Sequence, residues 1–319
     1  MNNGLTLQVN LAVSDRAYAQ HIIPALARSH RAAATEILIT IDGTKPQKTK
    51  LTDPAVRCPE PQFSQQVEEL CALAESWRKD GVVDRVLCLR SNDPWLKDVT
   101  RKYSGPWLPE THDYGGRPIT GYWAGIEAAS TRYVVHYDGD MFLYQEPGFD
   151  WVAHAVQFLD TQELALSACP RLAPPYASHT SYGDYASLDE GMWMHPVEGG
   201  WKQYYFSTRA FVVDREKLER HLPVGRGAIL REQLLVKVLR RGFPRSAEKM
   251  WWSTFGKDGG YRLILATEKA WLLHPNFKPA EFPPMVPGII ASVNANRVPD
   301  VQRGHVDVDL EAWRVFLKC

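Results

Sequence analysis

The 319-residue sequence has no net charge, its 37 lysines and arginines balancing 37 aspartates and glutamates. That balance excludes a global pull toward nucleic acid or an anionic membrane, so partners must be recognised at local sites. Cysteine is scarce: Cys58, Cys71, Cys88, Cys169 and Cys319 form no CxxC pair and no regular framework, which excludes a zinc ribbon or a disulfide scaffold. Cys71 and Cys88 lie in apolar runs and read as core, which fits a reducing, cytoplasmic compartment. No apolar run approaches the length needed to cross a bilayer, and the opening MNNGLTLQVNLAVSD lacks a basic segment followed by an apolar one. A soluble, unsecreted protein is expected. No internal repeat and no basic amphipathic helix stands out.

What the chain does have is alternation. Leu5, Leu7, Val9, Leu11 and Val13 alternate with polar or small residues, the period of a strand, and Ser14 and Asp15 offer caps to a helix running to about His30. EILITID predicts a second strand ending at Asp42, a helix follows over about Phe63 to Lys79, and VVDRVLCLR predicts a third strand. Residues 45–61 and 92–118 read as irregular, and a helix over Ile119 to Ser130 leads into YVVHY. This rhythm predicts an α/β fold with a mostly parallel central sheet flanked by helices. Later come a helix to about Asp160, a strand in LALSA, and a long Pro, Tyr, Ser, Gly and Trp-rich region from Pro170 to Trp201. QYYFSTRAFVVD then predicts one strand, REKLERHL and REQLLVKVLRRGF helices, and KAWLLHPNF a last strand. A proline-rich tail from Pro279 ends in the short amphipathic piece LEAWRVFL, expected to pack on the domain. Trp193, Trp201, Trp251, Trp252 and Trp271 suit either a well-filled core or stacking surfaces for a planar or sugar ligand.

The stretch YVVHYDGDMFL, Tyr133 to Leu143, carries the chemistry. An apolar strand runs into Asp138 and Asp140, and an apolar segment follows at once. Two half-buried carboxylates separated by one glycine repel each other and call for a cation between them. Magnesium and manganese prefer carboxylate oxygens and are commonly held by one or two of them plus substrate phosphates. Gly139 lets the backbone turn there. The bland alternative is a surface turn, since Asp-Gly is common in turns. Asp42 stands at another strand end, and in open α/β sheets ligands gather at the carboxyl ends of the strands.

With LAVSDRAYAQHIIPALARS, ILITIDGT, GYWAGIEAASTRYVVHYDGDMF, YFSTRAFVVDREKLER and REQLLVKVLRRGF, the chain resembles the GT-A fold glycosyltransferases, most closely glycosyltransferase family 2, over roughly residues 5–275. The resemblance implies a metal-dependent inverting enzyme that moves a sugar from a nucleotide-diphosphate sugar to a carbohydrate or glycolipid acceptor, with Mn2+ or Mg2+ as cofactor and no nucleic-acid partner. It implies that Asp42 binds the base, that Asp138 faces the ribose or the metal, and that Asp140 is the main metal ligand. Asp15 and Arg117 are placed with them at the nucleotide, and His274 in LLHPN resembles the late histidine that completes the metal shell. Glu232, opening REQLL, stands where the family's catalytic base is sought, although the usual paired aspartate is missing. Asp189, Glu190 and Glu198 are its rivals. Trp123 replaces the asparagine that usually precedes the Gly-Ile pair.

The expected division is 1–143 for donor and metal, 144–278 for the acceptor, and 279–319 as a tail. Oligomeric state stays open. Two other readings remain: a nucleotidyltransferase, against which the glycine-free turn VSDRAY counts, and a non-catalytic nucleotide- or sugar-binding relative, which the missing aspartate beside Glu232 keeps alive.

Overall fold

A computed structural model describes residues 2–176 and 194–319; Asp189, Glu190 and Trp193 lie outside the described residues. In chain order the first half comprises β1 (Asn2–Ala12), α1 (Arg16–His30), β2 (Glu36–Gly43), α2 (Pro54–Arg57), α3 (Gln62–Lys79), β3 (Arg85–Arg90), α4 (Pro94–Ser104), α5 (Thr120–Ala128), β4 (Thr131–Asp138) and β5 (Phe142–Gln145). The second half comprises α6 (Trp151–Thr161), β6 (Ala165–Cys169), β7 (Met194–Val197), β8 (Gly200–Gln203), β9 (Ala210–Asp214), α7 (Arg215–Glu219) and α8 (Gly227–Leu239). It closes with α9 (Ala247–Phe255), β10 (Tyr261–Leu265), β11 (Ala270–Leu273), α10 (Phe282–Asn294) and α11 (Leu310–Leu317).

The main sheet has the order β3-β2-β1-β4-β9-β6-β10-β8-β7. Its pairings make β3, β2, β1, β4, β6, β10 and β7 run one way, with β9 and β8 opposed. The expected mostly parallel α/β sheet is therefore what the chain builds. Leu5, Leu7, Val9 and Leu11 of β1 enter one core with α1, α3, α6 and α10. The intervening Thr6 and Gln8 are fully buried as well, because helices cover the second face too. Thr6 donates to Glu36 at 2.9 Å and shares a 2.8 Å bond with Thr131, while Gln8 Oε1 meets His136 Nδ1. The second core, on the other face, holds Trp123, Val134, Phe211 and Trp251.

Several local expectations are corrected. Residues 92–118 contain α4, whose start is Asp93 accepting from Trp95 N at 2.9 Å with proline in the first turn. The proline-rich tail contains α10: Pro283 and Pro284 occupy its first turn, where amides are unpaired anyway, and Phe282, Met285, Val286, Ile289 and Val293 make a helical stripe into the core. QYYFSTRAFVVD is two strands, β8 ending at Gln203 and β9 starting at Ala210. Cys71 of α3 and Cys88 of β3, expected as separate core residues, are joined in a disulfide, their Cα atoms 6.5 Å apart. Trp201, Trp251 and Trp271 belong to the core. Trp251 lies flat on Trp123, centroids 4.8 Å apart and planes within 3°. α11 packs as expected, Trp313 fully buried with Nε1 donating to Gln302 Oε1 at 2.9 Å. Among the described residues no helix is long and apolar enough to cross a membrane.

Candidate functional site

The chain leaves β1 through α1 to β2 on one side, and returns from β3 to β4 on the other. The carboxyl ends of β1 and β4 therefore flank a switch point, where an open α/β sheet forms a ligand crevice. Strand register places Ala12 opposite Asp42 and Asn10 opposite Asp138. Across this edge, β9 enters from Arg209, whose carbonyl accepts from Asp138 N at 2.8 Å.

Three carboxylates meet here. Asp15 lies in the 3-10 turn Val13–Asp15, where it was expected to cap α1. It makes no side-chain cap to α1. Its oxygens instead accept from Ala12 N at 2.8 Å, from Ser14 Oγ at 3.2 Å and from Tyr18 OH at 2.6 Å. Burial, then the charge of Asp140, raises its carboxyl above the usual range. Asp138 is pushed well up by burial, then by Asp140, Asp15 and Glu248, with Arg209 opposing. Asp140 is buried, and its Oδ1 has no hydrogen-bond partner. Gly139 is tightly enclosed: a Cβ would run into the Leu11 side chain and stand 3.1 Å from both Asn10 O and Asp15 Oδ2.

The antiparallel ribbon of β5 and β11 explains the apolar MFL segment. It pairs Phe142 with Leu273, which brings the residues after β11 back to the residues before β5. His274 Nε2 thus stands 3.6 Å from Asp140 Oδ2, and its Nδ1 lies 3.7 Å from Asp307 Oδ1. Lys278 Nζ is bonded to Asp140 Oδ2. His136, buried behind Asp138 with Nε2 3.4 Å from its Oδ1, is depressed by burial to about 3 and is a neutral imidazole near neutral pH.

Asp42 occupies the neighbouring part of the edge. Its Oδ1 accepts from Thr44 N at 2.9 Å and Thr44 Oγ1 at 2.6 Å, and a Cβ on Gly121 would stand 2.7 Å from its Oδ2, so α5 starts against this carboxylate. Nearby is a cavity of about 160 Å3 lined by Thr49, His112, Asp113, Tyr114, Gln233 and Lys237 among others. Burial lowers His112 despite the charge of Asp42 and raises Asp113, whose Oδ2 has no hydrogen-bond partner.

Three other residues singled out in the sequence lie outside the Asp15–Asp138–Asp140 cluster. Arg117 is exposed; its amide donates to Asp113 Oδ1 at 2.9 Å. Glu232, on α8, is paired with Arg245 at 2.7 Å and is not among the charges acting on Asp138. Glu198 is exposed in the turn between β7 and β8. The carboxylate that does act on Asp138 is Glu248, in the first turn of α9. Thr208 N and Tyr205 OH each donate to it at 2.9 Å. No motif marks Glu248 or Lys278; an acidic residue in a helix's first turn, two residues after the Ser246 cap, is an ordinary dipole partner.

The fit to a divalent cation rests on these groups. Among the described residues no three His, Cys, Asp or Glu side chains converge closely enough to hold a metal by themselves. Two carboxylates, one with an unpartnered buried oxygen, match a cation shared with a ligand's phosphates. Lys278 already supplies one positive charge there.

Fold and edge together define an α/β protein with a carboxylate-lined ligand crevice at a sheet switch point. No family model and no curated protein matches the sequence. Solved structures are similar to the chain's structure at low sequence identity, a galactosyltransferase among them. Glucosyl-3-phosphoglycerate synthase from Mycobacterium tuberculosis, in complex with Mn2+, UDP and phosphoglyceric acid, is 14% identical over 91% of this chain and 77% of its own, with a TM-score of 0.40. S. aureus TarS is 11% identical over 91% of this chain and 71% of its own, at 0.38. The galactosyltransferase LgtC, in complex with donor and acceptor sugar analogues, is 11% identical over 81% of this chain and 72% of its own, at 0.36.

Proposed function

We propose that this chain is a metal-dependent, inverting glycosyltransferase that uses a nucleotide-diphosphate sugar donor and a carbohydrate or glycolipid acceptor. The observation that carries the reading is the crowding of Asp15, Asp138 and Asp140 at the switch point, with one buried carboxylate oxygen unpartnered. Asp138 and Asp140, with His274 beside them, would hold Mn2+ or Mg2+, which when bound takes up the charge of the leaving diphosphate. Asp42 would hold the nucleoside part of the donor, whose base the cavity beside it would take. Arg209 and Lys278 would add positive charge at the same place, and Arg117 would add another from the loop before α5. Residues 1–143 would serve donor and metal, and 144–278 the acceptor, with 279–319 as a tail that contributes α10 to the core.

An inverting transfer needs a carboxylate to accept the acceptor hydroxyl's proton. Glu248 is favoured for this over Glu232, because Glu232 is spent on Arg245 while Glu248 lies within electrostatic reach of Asp138. The aromatic rings of Tyr205 and half-buried Trp252, 6.2 Å apart, flank Glu248 and suit the apolar face of a sugar. Nucleotidyl transfer is disfavoured by the turn after β1, where Asp15 satisfies Ala12 N and puts an anion in the place of a phosphate. Lys278 seated on Asp140 is the observation that favours a non-catalytic relative as the second reading.

The test is calorimetric titration with UDP, GDP, dTDP and CDP, each with and without Mn2+, on the wild type and on Asp140→Ala. Metal-dependent binding of one nucleotide, lost in the variant, is expected. Absence of binding under every condition overturns the proposal. Donor hydrolysis by Glu248→Gln and Glu232→Gln then separates the two carboxylates.

A further inference from the structure

α8 is apolar on two sides, and only one is used. Ile229, Gln233 and Val236 face the protein and are buried. Leu234, Leu235, Val238 and Leu239 line an open groove on the other side, with Arg231, while Leu230 at its edge packs on the second core. Val238 is 68% exposed, Leu239 55%, and Phe243, just past the helix, 85%. Exposed apolar ridges of this kind mark a contact surface.

The charge around the ridge says what it contacts. Residues 226–245 carry Arg226, Arg231, Lys237, Arg240, Arg241 and Arg245 against a single acid, Glu232, in a chain whose overall charge is zero. Glu232 is taken by Arg245, Lys237 pairs with Glu110, and Arg226 stands 3.7 Å from Asp258. Arg231, Arg240 and Arg241 are exposed and have no ion pair among the described residues.

We propose that α8 and the turn through Phe243 dock on an anionic lipid bilayer, the ridge of Leu235, Val238, Leu239 and Phe243 entering the headgroup boundary and the three arginines meeting acidic headgroups. Exposed apolar side chains interspersed with cations bind such an interface through buried apolar area and attraction to acidic headgroups. Cations near an anionic leaflet are attracted within a Debye length. The sequence hid this surface: REQLLVKVLRRGF reads as an ordinary core helix until the buried stripe is known.

The experiment sediments the full chain with phosphatidylglycerol vesicles and, separately, phosphatidylcholine vesicles, at low and high salt. Pelleting with phosphatidylglycerol alone, released by salt, is expected. The combined Arg231→Gln, Arg240→Gln and Arg241→Gln variant should lose about a hundredfold in partitioning, at about fivefold for each arginine. Val238→Gln with Phe243→Gln should also weaken binding, with an unchanged melting temperature because both side chains are exposed. Equal pelleting by the arginine variant, equal pelleting with phosphatidylcholine, or no pelleting overturns the proposal. So does self-association in velocity sedimentation that Val238→Gln with Phe243→Gln abolishes, since the ridge is then an interface between copies of this chain. Asp140→Ala should pellet like the wild type, so this result stands apart from the nucleotide site.

Discussion

The Trp123–Trp251 stack and the Asp15–Asp138–Asp140 cluster are both packed against the central sheet, and they obey opposite rules. Phe206, Phe211 and Phe255 surround Trp251 with ring centroids 4.4 to 6.0 Å away, so its rings are packed, although its indole Nε1 has no hydrogen-bond partner. The three carboxylates stand close enough to raise one another's titration despite donors on Asp15 and Lys278 on Asp140, and one buried oxygen was left without a bond. A region held by uncharged aromatic packing serves the fold. A region kept electrostatically unsatisfied, at some cost in stability, is kept for a ligand.

The contrast can be broken by substitution. Trp251→Ala should remove about 3–5 kcal/mol of stability, the range for emptying a buried aromatic site, read as a lowered midpoint in urea. Gly139→Ala should cost about 1–3 kcal/mol, because its Cβ has only Leu11, Asn10 O and Asp15 to displace. Asp138→Asn should act the other way. The native carboxyl titrates above its ordinary 3.8, so the folded state binds that proton more tightly and stability falls as pH rises above about 4. The amide removes this penalty, so the variant should melt higher than wild type at neutral pH, with no gain below about pH 4. It should at the same time lose metal-dependent nucleotide binding. A lower melting point instead would show that the cluster is satisfied and the contrast false.

Two smaller effects sharpen the picture. Lys278→Met should let Mn2+ alone bind more tightly, read by the paramagnetic resonance of free Mn2+, because the metal no longer competes with a resident ammonium. Unchanged affinity would mean that Lys278 does not stand in the metal's place. His30 belongs to the satisfied class: its Nε2 meets Tyr137 OH at 3.0 Å, and burial depresses it to about 4. An unfolded imidazole protonates first, so His30 withdraws stability as pH falls from about 6.5 toward 4. His30→Gln should flatten that part of the melting profile while leaving nucleotide binding intact.

Much of this was readable along the chain. Asp42 and Asp138 stand at strand ends because EILITID and YVVHYD are apolar runs that stop at an aspartate. Asp140 follows because Asp-Gly-Asp is a local turn. Helix α4 was missed although Asp93-Pro94 is a start signal and Leu96, Val99 and Tyr103 recur at helical spacing, because the surrounding residues 92–118 are rich in glycine, proline and polar residues; α10 was missed because proline count outweighed its position in the first turn. Glu248 carried no signal in the sequence for a similar reason: a helix-opening acid looks the same wherever its helix points.

Strand periods, capping residues and the turn at Gly139 act over a few residues, so local pattern alone decided the α/β class and the carboxylates at the sheet's edge. The Cys71–Cys88 bond, the second buried face of β1, the arrival of His274 and Lys278 at Asp140 through the β5–β11 ribbon, the place of Glu248 and the uncovered ridge of α8 all depend on contacts between distant segments. Those contacts are chosen by how whole faces bury against one another, and no window of sequence contains that choice.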